Sequence, residues 1–144
     1  MWRESILQWE RSAKFAQPTS MTALAEAEAA LGSTFPEDLR SLLLESNGVS
    51  GEYGLGLVWD VARIVKDNKF FRAQADFRRL YMSFESLFFF ADAGNGDQFA
   101  FRVLAGQVKK SGVYAWNHEN DSRIWVASSL KQYLEWWLSG KIKL

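Results

Sequence analysis

Leu31-Gly32-Ser33-Thr34-Phe35-Pro36-Glu37-Asp38-Leu39-Arg40 stops one helix and starts another. Residues 22–31, ahead of the stop, are rich in Ala and Glu, both strong helix formers. Gly32 supplies the left-handed residue that ends a helix. Pro36 fits the first turn of the next one, and Glu37 and Asp38 complement the positive end of its dipole. Leu39, Leu42 and Leu43 recur as a buried stripe, and Asn47-Gly48 closes the segment.

A second phrase, Phe89-Phe90-Ala91-Asp92-Ala93-Gly94-Asn95-Gly96-Asp97-Gln98-Phe99-Ala100-Phe101, reads as strand, polar turn, strand. Residues 87–91 are apolar throughout and read as a central strand. Residues 98–104 alternate, as a strand with one solvated face does. Residues 113–116 and 123–126 flank the polar turn 117–122 and read as a hairpin. Ser129 with Gln132 matches a capping box, and Leu130, Tyr133, Leu134 and Trp137 give a closing helix ended by Gly140. At the other end, Trp2, Ile6, Trp9 and Ala13 predict a helix over 2–14, broken at 17–20. Residues 49–56 form a glycine-rich loop and 57–59 a short strand. Asp60 can cap a helix to about residue 67, and residues 69–80 fit a helix or a loop plus helix. Helices, then hairpin strands, then one helix predict an α+β fold: an antiparallel sheet of about four to six strands, N-terminal helices and a closing C-terminal helix.

At 144 residues, with no linker, repeat or low-complexity stretch, the chain is expected to be one domain spanning 1–144. A hydrophobic fraction of 48% with zero formal net charge excludes a disordered chain. The same zero charge argues against direct binding to nucleic acid or an anionic membrane. Seven Trp and eleven Phe exceed the needs of a compact core, so some are expected on a binding surface. Charge is uneven along the chain. Residues 1–60 hold nine carboxylates against four cations, whereas residues 61–80 hold six cations against two carboxylates. This reads as solvated helix faces, or as an acidic face offered to a basic partner. No cysteine means no disulfide, Cys-zinc site or thiol chemistry. No apolar signal region follows Met1, and no apolar run approaches the roughly 20 residues of a membrane span, so a cytoplasmic protein is expected.

Catalytic and cofactor signatures fail one after another. His118 is the single histidine, so sites built on two or three His are impossible, and its polar turn predicts a solvated side chain. The loop 51–56 has Trp59 where a dinucleotide fingerprint needs its third Gly, and no Gly-Lys-Ser/Thr follows. Asp92, Asn95 and Asp97 miss calcium-loop spacing, with Gly94 and Val103 at ligand positions. Asp92, Asp97, Glu119 and Asp121 all lie in turns, where carboxylates bond local backbone more often than they run hydrolysis. Arg63 to Arg79 with Phe70, Phe71 and Phe77 fit a nucleic-acid face less well than a helix with an aromatic inner side and a basic outer one. No catalytic residue, metal or cofactor is expected.

The run Glu28, Leu31-Gly32, Phe35-Pro36-Glu37-Asp38-Leu39, Leu43, Asn47-Gly48 resembles the opening signature of the SUKH superfamily. That superfamily includes bacterial immunity proteins of polymorphic toxin systems and fungal regulators of cell-wall synthesis. Phe90-Ala91-Asp92-Ala93-Gly94-Asn95-Gly96-Asp97-Gln98-Phe99 resembles its second signature, and Ala127-Ser128-Ser129-Leu130 with Tyr133-Leu134 its closing helix. The resemblance implies a non-enzymatic α+β domain that binds a cognate toxin, often a nuclease or deaminase. The alternative is a regulatory protein-binding scaffold of the cell-wall-regulator type, and behind it, from the turn carboxylates alone, a carboxylate-based hydrolase. The expected contact surface is the loop 51–56 with the turns 92–97 and 117–121. Its candidate residues are Glu52, Tyr53, Asp92, Asn95, Asp97, Glu119 and Asp121.

Overall fold

A computed structural model of the chain describes residues 1–73, 83–103 and 112–144. The fold is α+β, with five helices and seven strands among the described residues. The helices are α1 (Trp2–Trp9), α2 (Met21–Leu31), α3 (Glu37–Glu45), α4 (Val61–Ala73) and α5 (Leu130–Leu138). The strands are β1 (Lys14–Phe15), β2 (Val49–Ser50), β3 (Gly56–Val58), β4 (Leu87–Asp92), β5 (Gln98–Arg102), β6 (Val113–Trp116) and β7 (Arg123–Ala127). They form two antiparallel sheets, ordered β1-β2-β3 and β4-β5-β6-β7. The backbone bond from Trp59 N–H to the Phe90 carbonyl (2.8 Å) ties β3 to β4.

The opening motif builds what its residues predict. Ser20 caps α2 by accepting the Ala23 N–H at 3.0 Å, and Gly32 ends it at φ 68. Glu28 then reaches across the connection. One carboxylate oxygen accepts the Phe35 N–H and the other pairs with Arg40, each at 2.7 Å, which fixes α3 against α2. Leu39, Leu42 and Leu43 are buried as expected.

Several expectations need correction. The first helix stops at Trp9 instead of residue 14. The Glu10 carboxylate takes the Ser12 N–H at 3.3 Å, a local competitor of helix bonds, and Lys14 and Phe15 pair with Ser50 and Val49 as β1–β2. Strand β2 therefore takes two residues from the predicted glycine-rich loop. The helix capped by Asp60, whose Oδ1 accepts the Arg63 N–H at 2.7 Å, runs to Ala73. Residues 74–80 of the ambiguous stretch lie outside the described residues, as does Leu104 of the strand expected over 98–104. At the closing helix Ser129 accepts the Gln132 N–H, but Gln132 Oε1 returns to Ser128.

Strand β4 is the most informative correction. Residues 87–91 are all buried, yet β4 ends its sheet instead of sitting in the middle. Its outer edge is filled by side chains of α4. Asn68, fully buried, accepts the Phe89 N–H (2.8 Å) and donates to the Phe89 carbonyl (2.9 Å) and to Ile64 O (2.7 Å). Arg72 donates to Leu87 O at 3.1 Å, and Arg63 grips Asp92 at the far end. The edge groups are thus paired without another strand. The apolar faces then close one core. Phe90 stacks on Phe101 (4.5 Å between centroids), and Tyr133 of α5 meets Phe90 and Phe99 edge-on or tilted. Tyr133 donates to Leu57 O at 3.0 Å; burial, and then the charge of Asp92, hold its phenol well above its ordinary pKa.

Replacing Asn68 by Leu keeps the volume but leaves both Phe89 backbone groups buried without partners. Urea unfolding should show a loss of about 2–4 kcal/mol. A loss under about 0.5 kcal/mol, the range of a neutral surface change, would mean that α4 does not hold this edge.

Candidate functional site

Three loops emerge from the two sheets and meet. In the loop 51–56 the Gly51 N–H bonds Leu55 O at 2.8 Å and the Leu55 N–H bonds Glu52 O at 3.1 Å. This tight path forces Tyr53 to φ 58, a left-handed conformation that costs a non-glycine residue about 1 kcal/mol. Its ring is fully exposed. In the turn 92–97 the Ala93 N–H bonds Asp97 O at 3.0 Å, and Asn95 Oδ1 accepts the Asp97 N–H at 3.0 Å. The turn 117–121 is built alike. Asn117 Oδ1 accepts the Glu119 N–H at 2.8 Å, Asn120 Oδ1 accepts the Ser122 N–H at 2.9 Å, and Asp121 takes φ 59.

Side chains join these loops. Asp97 is 7% exposed, and its Oδ1 takes the His118 N–H at 3.1 Å and lies 2.7 Å from His118 Nδ1. The imidazole covers Gly96. At φ 95, with a Cβ that would stand 2.9 Å from the ring, position 96 requires glycine. The expectation of a solvated histidine is therefore half met: His118 is partly exposed but latched to Asp97. On the other side, a cleft of about 520 Å³ separates loop 51–56 from turn 92–97, with Glu52, Tyr53, Leu55, Asp92 and Asp97 on its walls.

Arg63 is the residue that sequence reasoning missed. It binds both carboxylate oxygens of Asp92, at 2.9 and 2.8 Å, and its Nε binds Asp67 at 3.0 Å. Its guanidinium lies 4.1 Å from the Trp59 ring centroid. Partial burial disfavours its charge, but the bonds to Asp92 and Asp67 outweigh that and hold its pKa above the ordinary arginine value. The i,i+4 spacing to Trp59 and Asp67 was the available signal. A run of cations read as a solvated face concealed it. Phe77, Arg78 and Arg79 of that run lie outside the described residues.

The seven candidates thus divide by direction. Glu52, Tyr53 and Glu119 are exposed. Asn95 is exposed, with its amide oxygen used inside its own turn. Asp92 and Asp97 are engaged by Arg63 and His118. Asp121 accepts the Trp116 indole N–H at 2.7 Å and pairs with Arg123 at 3.1 Å. Chemically, this is an arrangement in which carboxylates hold loops and leave an aromatic ring with two carboxylates facing water. Other large exposed aromatics among the described residues, Phe70 and Trp125, stand outside these loops. Among the described residues no group of three or more His, Asp or Glu is placed to hold a metal ion, and no helix is long and apolar enough to cross a membrane.

The Asp97–His118 contact should behave as a coupling between turns. In a double-mutant cycle of Asp97→Ala and His118→Ala, unfolding free energies at pH 7 should show about 1 kcal/mol of interaction. Additive losses would mean that the two turns stand independently.

A protein-family model described as SUKH_6, SMI1-KNR4 cell-wall, matches residues 21–134, which include all three loops. No curated protein matches the chain.

Proposed function

The chain belongs to the SUKH_6, SMI1-KNR4 cell-wall family, and from that premise we propose that it is a non-enzymatic cytoplasmic binding protein, an immunity protein that neutralises a cognate toxin by covering it with the three-loop surface. The observation that carries this reading is the division of the loop side chains. Asp92 and Asp121 pair with Arg63 and Arg123, and Asp97 is hydrogen-bonded to His118. Tyr53, Glu52 and Glu119 face outward. Loops fixed in advance lose little entropy on binding. An exposed tyrosine is a common affinity anchor, and flanking carboxylates steer a basic partner into register.

The chain's zero net charge departs from the strongly acidic balance expected of a nuclease inhibitor, which counts against a nuclease as the toxin more than against the family. The cell-wall description of the family supports one further reading, a regulatory scaffold that binds a cellular protein. Either way the surface is the same and the partner differs.

Co-expression with the adjacent open reading frame separates the two. For an immunity protein, growth lost to that neighbouring product is rescued by the wild-type chain. Tyr53→Ala should weaken binding to the purified toxin at least tenfold, about 1.4 kcal/mol, with the fold intact because the ring makes no packing contact. Glu52→Lys should slow association, more so at low salt. Undiminished affinity in the triple variant Glu52→Ala, Tyr53→Ala, Glu119→Ala would overturn the surface assignment.

A further inference from the structure

The cleft between loop 51–56 and turn 92–97 holds an acceptor that the fold leaves unused. Among the described residues its walls carry three carboxylates, Glu52, Asp92 and Asp97, and no cation. The three are not equivalent. Arg63 binds both oxygens of Asp92 and matches its charge. Asp97 is 7% exposed, and His118 takes only its Oδ1, through the backbone N–H and Nδ1. Asp97 Oδ2 accepts no hydrogen bond among the described residues. A neutral imidazole donating from Nδ1 holds this carboxylate in place without cancelling its charge. A side chain more than nine-tenths buried therefore offers the cleft a carboxylate oxygen without a donor, a standing cost that a ligand N–H removes. Glu52, on the facing wall, is exposed and forms no ion pair among the described residues.

The rest of the lining says which cation fits. A Cβ at Gly94 would stand 3.4 Å from Leu55 Cδ1, so loop and turn approach closely there and give the cleft an apolar contact. The exposed Tyr53 ring is on the same wall as Leu55. A side chain with an apolar stem and a planar charged head matches these surfaces: stem along Leu55, head toward Asp97 and Glu52, flat face on the Tyr53 ring. The volume of about 520 Å³ lies inside the roughly 300–1,000 Å³ range of ligand sites and admits one such side chain. A metal ion fits less well, because Arg63 and His118 already engage both oxygens of Asp92 and one of Asp97. The fold uses the same chemistry beside the cleft. There the Arg63 guanidinium lies 4.1 Å from the Trp59 ring centroid while it donates to Asp92.

We propose that the cleft receives the guanidinium of an arginine side chain on the protein partner, with Asp97 Oδ2 and the Glu52 carboxylate as acceptors and Tyr53 as the stacking ring. The inference rests on the three-loop reading for the source of that arginine, and it adds the residue type that the partner must present.

The test follows the backbone N–H resonances of the full ¹⁵N-labelled chain at constant ionic strength. The probes are blocked tripeptides, acetyl-Ala-Xaa-Ala-amide, with arginine, lysine or the neutral isostere citrulline at the centre. The arginine peptide should give saturable shifts at Leu55, Gly96 and Asp97, with an affinity of roughly 1–10 mM for a single side chain. The lysine peptide should bind more weakly, and the citrulline peptide should leave these resonances unmoved. Asp97→Asn keeps an Oδ1 acceptor for His118 and removes the charge, so it should weaken the arginine peptide about fivefold. Glu52→Gln, an exposed change that leaves the fold intact, should weaken it about threefold and carries the test if Asp97→Asn does not fold. No saturable shift up to roughly 50 mM arginine peptide overturns the proposal. So do equal shifts from the citrulline peptide, or an affinity unchanged in every variant that folds. No toxin enters this titration, so a null result strikes the arginine subsite and leaves the three-loop surface standing. A partner that binds stably while residues 51–56 and 92–97 gain no protection removes that surface, and the source of the arginine with it.

Discussion

The buried amide of Asn68 is the interaction on which the arrangement depends. An edge strand made of three consecutive phenylalanines is an invitation to pair with another chain. Here a helix closes it. Asn68 offers Phe89 the donor and acceptor that a neighbouring strand would, Arg72 reaches Leu87, and Arg63 reaches Asp92. The helix runs antiparallel to the strand, and the lengths agree. Nine residues of helix rise about 13 Å, and the five steps from Leu87 to Asp92 span about 16 Å. The same helix that protects the sheet edge therefore sets the position of Asp92, where the second loop begins.

From that anchor the loop surface is assembled by inward bonds. Arg63 holds Asp92, Asp97 holds His118, and Asp121 holds Trp116 and Arg123. Each bond joins segments far apart in the chain or fixes a turn at its base. Rigidity here comes from polar groups satisfied within the fold, and the residues left facing water are the ones available for recognition. Tyr53 stands in a left-handed conformation with its ring in solvent. That strain has no packing return, which fits the proposed role of the ring as an anchor for a partner.

Elements governed by neighbours in sequence were legible. Helix α2, its Gly32 stop, the leucine stripe of α3, the β6–β7 hairpin and α5 follow from caps, turns and periodicity. Elements governed by distant partners were not. Strands β1 and β2 are two residues each, too short for any period, and exist because Phe15 meets Val49. Asn68 reads as a weak helix former on an open face, and nothing local reveals Phe89 as its partner. The three loops were visible as turns and their polar residues as candidates. Which carboxylates turn inward was hidden, because Arg63 lies 29 residues from Asp92, and His118 lies 21 from Asp97. The residues that the family model matches include Glu28, which bonds Phe35 and Arg40, and Asp92 and Asp97, which carry the loop bonds.

The central claim is that one preformed surface of three loops meets a macromolecular partner. Hydrogen–deuterium exchange of the chain with and without the product of its neighbouring open reading frame tests it most directly. The account predicts added protection confined to residues 51–56, 92–97 and 117–121. Protection centred elsewhere, or none in these loops despite stable binding, would contradict it.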